Sequence, residues 1–489
     1  MKRLSRALLL LGVLALALAL MFLVGHRSNV RRQLQRYKAE LRAKGEKLTY
    51  ADLVPVRTTN NYQSYVVLNN VIAAIRTPPG AWDAWTYVRA GEARVCWQED
   101  NPPLPSGSNP TAFPGSWAEF AAQFQDVEGR LKELRVALQD PAPDAGPRTN
   151  IFQGPVPKFV AIREAAQWLI AATINDLHET RSEEALQNLE ALAGLARMGR
   201  EDYTLVAQMI RVAVANLGLS ATWQALQARG WTDSQLERLQ NAWAETDLLE
   251  AVEKGFVGER VSGGEIWELV RQSKGRQFSQ FLSGVSKPSA PPSVPSISFQ
   301  EALFSYGLLP AYKFTSIDED ELLYLQTVQE SITALRLVKA HHPWLEVKVG
   351  PDQALARISQ IGGSASRFRH LLLMITVPNY SKATIVALRA ETARQMTLTA
   401  IALKRFELRN GHLPSDLASL VPKFLSAPPP DYMSGKTLHY RLRVDGSFLL
   451  YSVGEDGKDD RGDPNPPSGK NAGLWEGRDA VWPSAGKMK

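Results

Sequence analysis

The sequence is poor in the residues from which most catalytic and metal centres are built. A single cysteine, Cys96, in 489 residues excludes an intramolecular disulfide and any paired CxxC metal or redox motif. Its expected place is a buried, inert position. The seven histidines, His26, His178, His341, His342, His370, His412 and His439, form no HExxH pair or other dense ligand spacing. His341 and His342 are adjacent, so on a helix their rings diverge by about 100° and do not share a metal; they read as surface residues ending a helix before Pro343. No Walker-type phosphate loop is present, and Gly362-Gly363-Ser364-Ala365-Ser366 lacks the second half of a nucleophile elbow. Nucleotide-dependent and elbow-type hydrolase chemistry therefore have no motif to rest on. Excess charge is missing too: 56 basic against 50 acidic side chains leave +6, part of it beside the first apolar segment, so charge gives no support for a nucleic-acid partner.

What the chain does have is a globular composition, 44% hydrophobic and 22% charged, which argues against wholesale disorder. Its length exceeds the roughly 250–300 residues at which single cores stop growing, and predicts several domains. Ala7 to Val24 reads ALLLLGVLALALALMFLV, an uncharged run close to the roughly 20 residues a membrane-crossing helix needs. Lys2, Arg3 and Arg6 precede it. It ends at Phe22-Leu23-Val24-Gly25-His26 with no small-x-small cleavage site, so an uncleaved, single-pass inner-membrane anchor is expected. Arg27, Arg31, Arg32, Arg36 and Lys38 follow, and a positive-inside count alone would put the bulk of the chain in the cytoplasm.

The expected organisation is a tail over 1–6, a transmembrane anchor over 7–24 and a juxtamembrane helix over 25–48. A loop-rich segment and first helical block follow over 49–274, then a Ser/Pro-rich linker over 275–299 and a second helical block over 300–384. Trp82, Trp85, Tyr87 and Trp97 lie in the loop-rich stretch, as its scarce core or as the wall of a ligand groove. Helix starts are signalled by capping boxes at Ser116/Glu119, Thr232/Gln235, Ser262/Glu265 and Ser316/Glu319. The acids after Ser316 read as a helix cap, where the dipole favours negative charge. Apolar spacing over Trp168–Ile174 and Leu186–Ala196, broken near Arg181-Ser182, predicts a helix hairpin. The fold class is mainly α: an N-terminal transmembrane helix, an irregular helical bundle or short solenoid, and a small C-terminal α+β domain with an antiparallel sheet. Glu164, Glu183 and Glu190 on the helical body read as solvated, or alternatively as an acid/base pair.

The C-terminal part carries the densest signals. A helix over about Lys382–Arg409 ends at Asn410-Gly411; Ser415 caps a short helix over Asp416–Leu420; Thr437–Leu442 alternates as a strand. Asp445-Gly446 turns the chain into Phe448–Ser452. An acidic, glycine-rich loop follows, Val453-Gly454-Glu455-Asp456-Gly457-Lys458-Asp459-Asp460-Arg461-Gly462-Asp463. In this order a helix ending NGxxP, a D-x-x-x-G-x-x-L-x-Y segment beginning at Asp431, a hairpin and a YSxGxDG-type loop resemble the periplasmic head of the type II secretion major pseudopilin, over residues 385–483. A tail over 484–489 follows. The resemblance implies calcium on the loop, with Asp456, Asp459, Asp460 and Asp463 as side-chain ligands and Ser452 nearby, the hard oxygens this ion takes. It also implies an extracytoplasmic bulk. The N-terminus departs from the pseudopilin pattern, with no Phe-Thr-Leu-Ile-Glu-type stretch and about 360 residues between apolar segment and head. The whole chain resembles large membrane-anchored bacterial envelope proteins with such a tail.

The functional expectation is thus an anchored envelope scaffold or interaction protein, bound to the membrane through residues 7–24 and to a protein partner, and not to nucleic acid. The alternatives are a hydrolase of envelope polymers using carboxylates of the helical body, and a secretion-system accessory component.

Overall fold

The computed structural model describes residues 2–53, 63–75, 85–102, 115–143, 158–273, 309–362, 370, 373, 380–467 and 473–486. Trp82, the 275–299 linker and the segment from Gly363 to Ser366 lie outside these residues. The described chain is mainly helical with a few small sheets. It divides into two compact units, each assembled from segments distant in sequence: 1–55, 257–331 and 350–380 make the first, and 56–256, 332–349 and 381–489 the second.

In the first unit, α1 (Lys2–Ala43) is one uninterrupted helix of 42 residues. Its two halves differ: Leu10, Leu11, Leu14, Leu18, Met21 and Phe22 are exposed, whereas Val30, Leu34 and Leu41, spaced for one helix face, are buried. The same unit holds α2 (Tyr50–Leu53), the second part of α10 (Leu248–Gln272), α11 (Leu309–Thr315), the first part of α12 (Ile317–Lys339) and most of α14 (Val349–Gly362). The acids at the start of α12 do occupy its first turn, but Asp320 and Glu321 are fully buried rather than solvated. Asp320 accepts from Tyr312 Oη at 2.8 Å and pairs with His370 Nδ1. Glu321 pairs with Lys38 and Arg271. Burial pushes the Asp320 carboxyl above the usual range, against the pull of His370.

The second unit contains α3 (Gln63–Ala74), α4 (Trp117–Gln125), α5 (Glu128–Ala137), α6 (Phe159–His178), α7 (Ser182–Arg197), α8 (Leu205–Leu226) and α9 (Asp233–Ala244). The expected hairpin is α6/α7, turning at Thr180 and Arg181. Phe120, Phe124, Leu131 and Trp168 build one core cluster, with edge-on aromatic pairs at 5.3 and 5.8 Å. Gly218 lets α8 approach Trp243: a Cβ there would stand 2.6 Å from the indole. Helix α8 is long and apolar enough to cross a membrane, yet two-thirds of its apolar window is buried inside the fold, as befits a core helix.

The capping signals fare unevenly. Thr232 and Gln235 form a complete capping box. Ser116 caps α4, but Glu119 reaches back to the Gly115 N–H at 2.6 Å instead of to Ser116. Ser262/Glu265 is not a helix start at all: it lies inside α10, where the Ser262 hydroxyl donates to the Gly258 carbonyl at 2.8 Å. A serine-to-glutamate spacing recurs wherever helix continues, and only a break upstream turns it into a cap.

The C-terminal part of this unit begins with α15 (Tyr380–Asn410), closed by Gly411 at φ +76°. Ser415 does not cap a short helix. Asp416 does the local bonding, accepting the Ser419 N–H at 2.9 Å ahead of a single 3-10 turn over Ala418–Leu420. Two short strands, β3 (Pro430–Asp431) and β4 (Lys436–Thr437), pair antiparallel. The hairpin β5 (His439–Leu442) and β6 (Phe448–Ser452) extends antiparallel to β7 (Ala480–Val481). The loop-rich segment contributes β1 (Tyr87–Arg89) and β2 (Glu92–Ala93), and β2 is joined in parallel by β8 (Ser484–Ala485). One pairing is therefore parallel and reaches across most of the chain.

Candidate functional site

The acidic loop after β6 is held by two carboxylates outside it. Asp431 is fully buried. It accepts from Met433 N at 3.0 Å, Ser434 Oγ at 3.1 Å, Ser452 Oγ at 2.7 Å and Val453 N at 3.2 Å. That network is the physical content of the D-x-x-x-G segment: the aspartate closes its own turn, Gly435 adopts φ +71° where a side chain would strike the His341 carbonyl, and the same carboxylate seizes the start of the loop. Asp479 does the corresponding work at the far end, accepting the N–H groups of Asp460, Gly462 and Asp463 at 3.3, 2.7 and 3.2 Å. Burial raises the Asp479 carboxyl despite these donors.

Three of the four loop aspartates are engaged, each separately. Asp456 is exposed and turns onto the Lys458 N–H at 3.1 Å. Asp459 accepts from the Arg461 N–H at 2.8 Å and from Tyr451 Oη at 2.9 Å, and His439 Nδ1 lies 3.7 Å from its second oxygen. The backbone bond to Arg461 leads the causes that hold the Asp459 carboxyl below its usual range. Asp463 accepts from Asn465 N and Nδ2 and faces Arg478 at 3.3 Å. Asp460 is exposed, and Ser452 is fully buried, its hydroxyl donated to Asp431 and accepting from Gly454 N at 3.2 Å. The donors are of the oxygen type calcium takes, but as folded they do not converge: among the described residues no group of three or more His, Cys, Asp or Glu could hold a metal ion.

Of the three candidate carboxylates of the helical body, Glu164 is half-buried and the other two share one ion pair. Glu183 and Glu190 grip one guanidinium, Arg238, at 2.7 Å each. Glu183 is partly desolvated, yet Gln235 and Arg238 outweigh that and hold it below the usual carboxylate range. Cys96 is buried, and burial pushes its thiol up to about 11. The aromatics of the loop-rich segment are split in role. Trp97 donates its indole N–H to the Gln224 carbonyl at 3.0 Å, whereas Trp85 and Tyr87 line a cleft with Trp475.

Asp431 was visible as the first residue of a motif. Asp479 gave no comparable signal, because it follows the loop at a distance and only the fold returns it there. Comparison of the chain with family models, with curated proteins and with solved structures finds no match.

Proposed function

We propose that this is a membrane-anchored scaffold or interaction protein of a bacterial envelope, with the helical body offering surface to a protein partner and the C-terminal α+β part as a docking module resembling a pseudopilin head. The observation that carries the reading is α1: the half containing Leu10 to Val24 exposes large apolar side chains, Phe22 at 75% and Leu10 at 68%, while the half containing Val30, Leu34 and Leu41 packs into the first unit. A soluble surface does not tolerate such a run; a bilayer does. The single-pass inner-membrane location and extracytoplasmic bulk follow from the same reading together with the resemblance. A scaffold is favoured over a polymer hydrolase because Glu183 and Glu190, two of the body's three candidate carboxylates, are spent on Arg238.

The test is fractionation of the full chain. It is expected to remain in the pellet after carbonate washing of membranes and to be released by detergent. Leu14→Arg with Leu18→Arg adds about 2.5–3.5 kcal/mol per charge at the bilayer centre, and should move most of the protein to the soluble fraction. A wild-type chain that stays soluble without detergent overturns the anchor.

Calcium belongs to the same proposal through the resemblance. Its support is the placement of Asp456, Asp459, Asp460 and Asp463 on one loop turned by Gly454, Gly457 and Gly462, all at positive φ. Binding would have to draw Asp456, Asp459 and Asp463 off the backbone donors they now accept. Calorimetry of Ca²⁺ into the full chain is expected to give saturable heat that Asp456→Ala with Asp460→Ala removes. Absence of heat, or heat unchanged in that variant, removes calcium from the proposal and leaves the loop held by Asp431 and Asp479.

A further inference from the structure

Helix α1 carries five basic side chains in the fifteen residues that follow its apolar run, and no Asp or Glu stands between Gly25 and Ala39. The fold uses two of the five. The Arg27 guanidinium sits 4.6 Å over the Phe314 ring of α11, and Lys38 pairs with the buried Glu321 of α12. Both flank the face on which Val30, Leu34 and Leu41 are buried. Arg31, Arg32 and Arg36 are exposed and make no ion pair with a described residue. At about 100° per residue, Arg32 and Arg36 fall on the side opposite the buried face, with Arg31 on its flank. By contrast, Arg238, Arg271 and Arg405 each meet at least two carboxylates.

Position along the helix specifies what the three arginines meet. With α1 along the bilayer normal and about 1.5 Å of rise per residue, they stand about 10, 12 and 18 Å beyond Val24. The headgroup layer takes up about 5–8 Å on each side of the hydrocarbon. Helical side chains lean toward the helix N-terminus, here the membrane end. Arg32 does so: its Nε donates to the Ser28 carbonyl at 3.2 Å, one turn nearer the apolar run. A long arginine stem covers the remaining gap, its charged end in the polar layer. The first acid, Glu40, stands about 24 Å beyond Val24, more than a Debye length of about 8–10 Å above the headgroups. Charge of one sign, unpaired and confined to this depth, is complementary to a layer of phosphates; a nucleic acid or an acidic protein gives no reason for it to stop there. We propose that Arg31, Arg32 and Arg36 bind the phosphate groups of anionic phospholipids and tie the anchor to an acidic lipid neighbourhood. The proposal rests on the reading of residues 7–24 as a membrane anchor and holds for either orientation of the chain.

The experiment places the full chain in phosphatidylcholine vesicles with a trace of spin-labelled phosphatidylglycerol or, separately, of spin-labelled phosphatidylcholine. Paramagnetic resonance distinguishes lipid held at the protein from free lipid, and flotation reports whether the chain is in the vesicles. Wild type is expected to hold the phosphatidylglycerol probe roughly fivefold more strongly, the equivalent of one arginine acting at the surface, and about 1 M salt should remove most of that preference. Arg31→Gln with Arg32→Gln and Arg36→Gln should bring the ratio to about one without lowering the melting temperature, since all three side chains are exposed. Arg42→Gln with Lys44→Gln removes exposed charge farther from the bilayer and should keep the wild-type ratio. A chain that floats with the vesicles but shows no preference, or a triple variant with the wild-type ratio, overturns the lipid surface and leaves the anchor standing. An equal loss in the Arg42 and Lys44 variant also overturns it, because the preference would then belong to overall charge. A chain that does not float overturns the anchor, and this surface with it.

Discussion

Replacing Arg394 by methionine is expected to lower the stability of the second unit by about 3–5 kcal/mol, because it strands a buried carboxylate. Glu391 and Arg394 lie one turn apart on α15, 1% and 7% exposed. The guanidinium donates to both Glu391 oxygens at 2.5 to 3.1 Å and, through Nη1, to the Trp243 carbonyl at 2.9 Å. Glu391 in turn accepts the Leu248 N–H at 3.2 Å and Gln395 Nε2 at 3.0 Å. Burial alone would lower the Arg394 pKa, but the Glu391 charge and hydrogen bonds outweigh it and raise it, so the buried guanidinium depends on its partner. Thermal melts should show a loss on the order of 10 °C. The double variant Glu391→Gln with Arg394→Met removes the stranded charge and should regain most of the loss, since a buried pair is dear to break and cheap to replace whole. Additive losses in the two single variants and the double variant would disprove the pairing argument.

Asp431→Ala should have the second-largest effect, and a local one. Two backbone N–H groups and two hydroxyls lose their acceptor, three of the four bonds being buried and that of Ser434 part-buried. At about 1–3 kcal/mol for each buried donor left unsatisfied, a net loss of about 3–5 kcal/mol is expected after relaxation of the hydroxyls. Hydrogen exchange localises it: the amides of Met433 and Val453 should lose protection while those of α6 and α7 keep theirs. Asp431→Asn retains an acceptor and should fall between. Equal protection at Val453 in wild type and Asp431→Ala would mean that the carboxylate does not hold the loop.

Much of the local structure was legible in sequence. The α6/α7 hairpin followed from apolar spacing on either side of Arg181-Ser182, the end of α15 from Asn410-Gly411, and the β5/β6 turn from Asp445-Gly446, where Gly446 takes φ +82° and Asp445 accepts the Ser447 N–H at 2.9 Å. The capping signals divided by context, Thr232 a true box and Ser262 an interior serine. Of the loop, the sequence showed which oxygens are present but not which way they turn, because an aspartate one or two residues before a free N–H prefers that donor to a distant neighbour.

The sequence by itself determined the periodicities, several helix and turn boundaries, the scarcity of catalytic residue types, and the apolar run in α1, since each depends on residues a few positions apart. Only the tertiary structure decided the partners of buried charge and the walls of the cleft. Asp479 meets the N–H groups of 460–463, Trp85 meets Trp482, and β8 lies parallel to β2. These pairings join positions from about sixteen to nearly four hundred residues apart, and a donor finds its acceptor across such spans only when the packing of every element between them has been fixed.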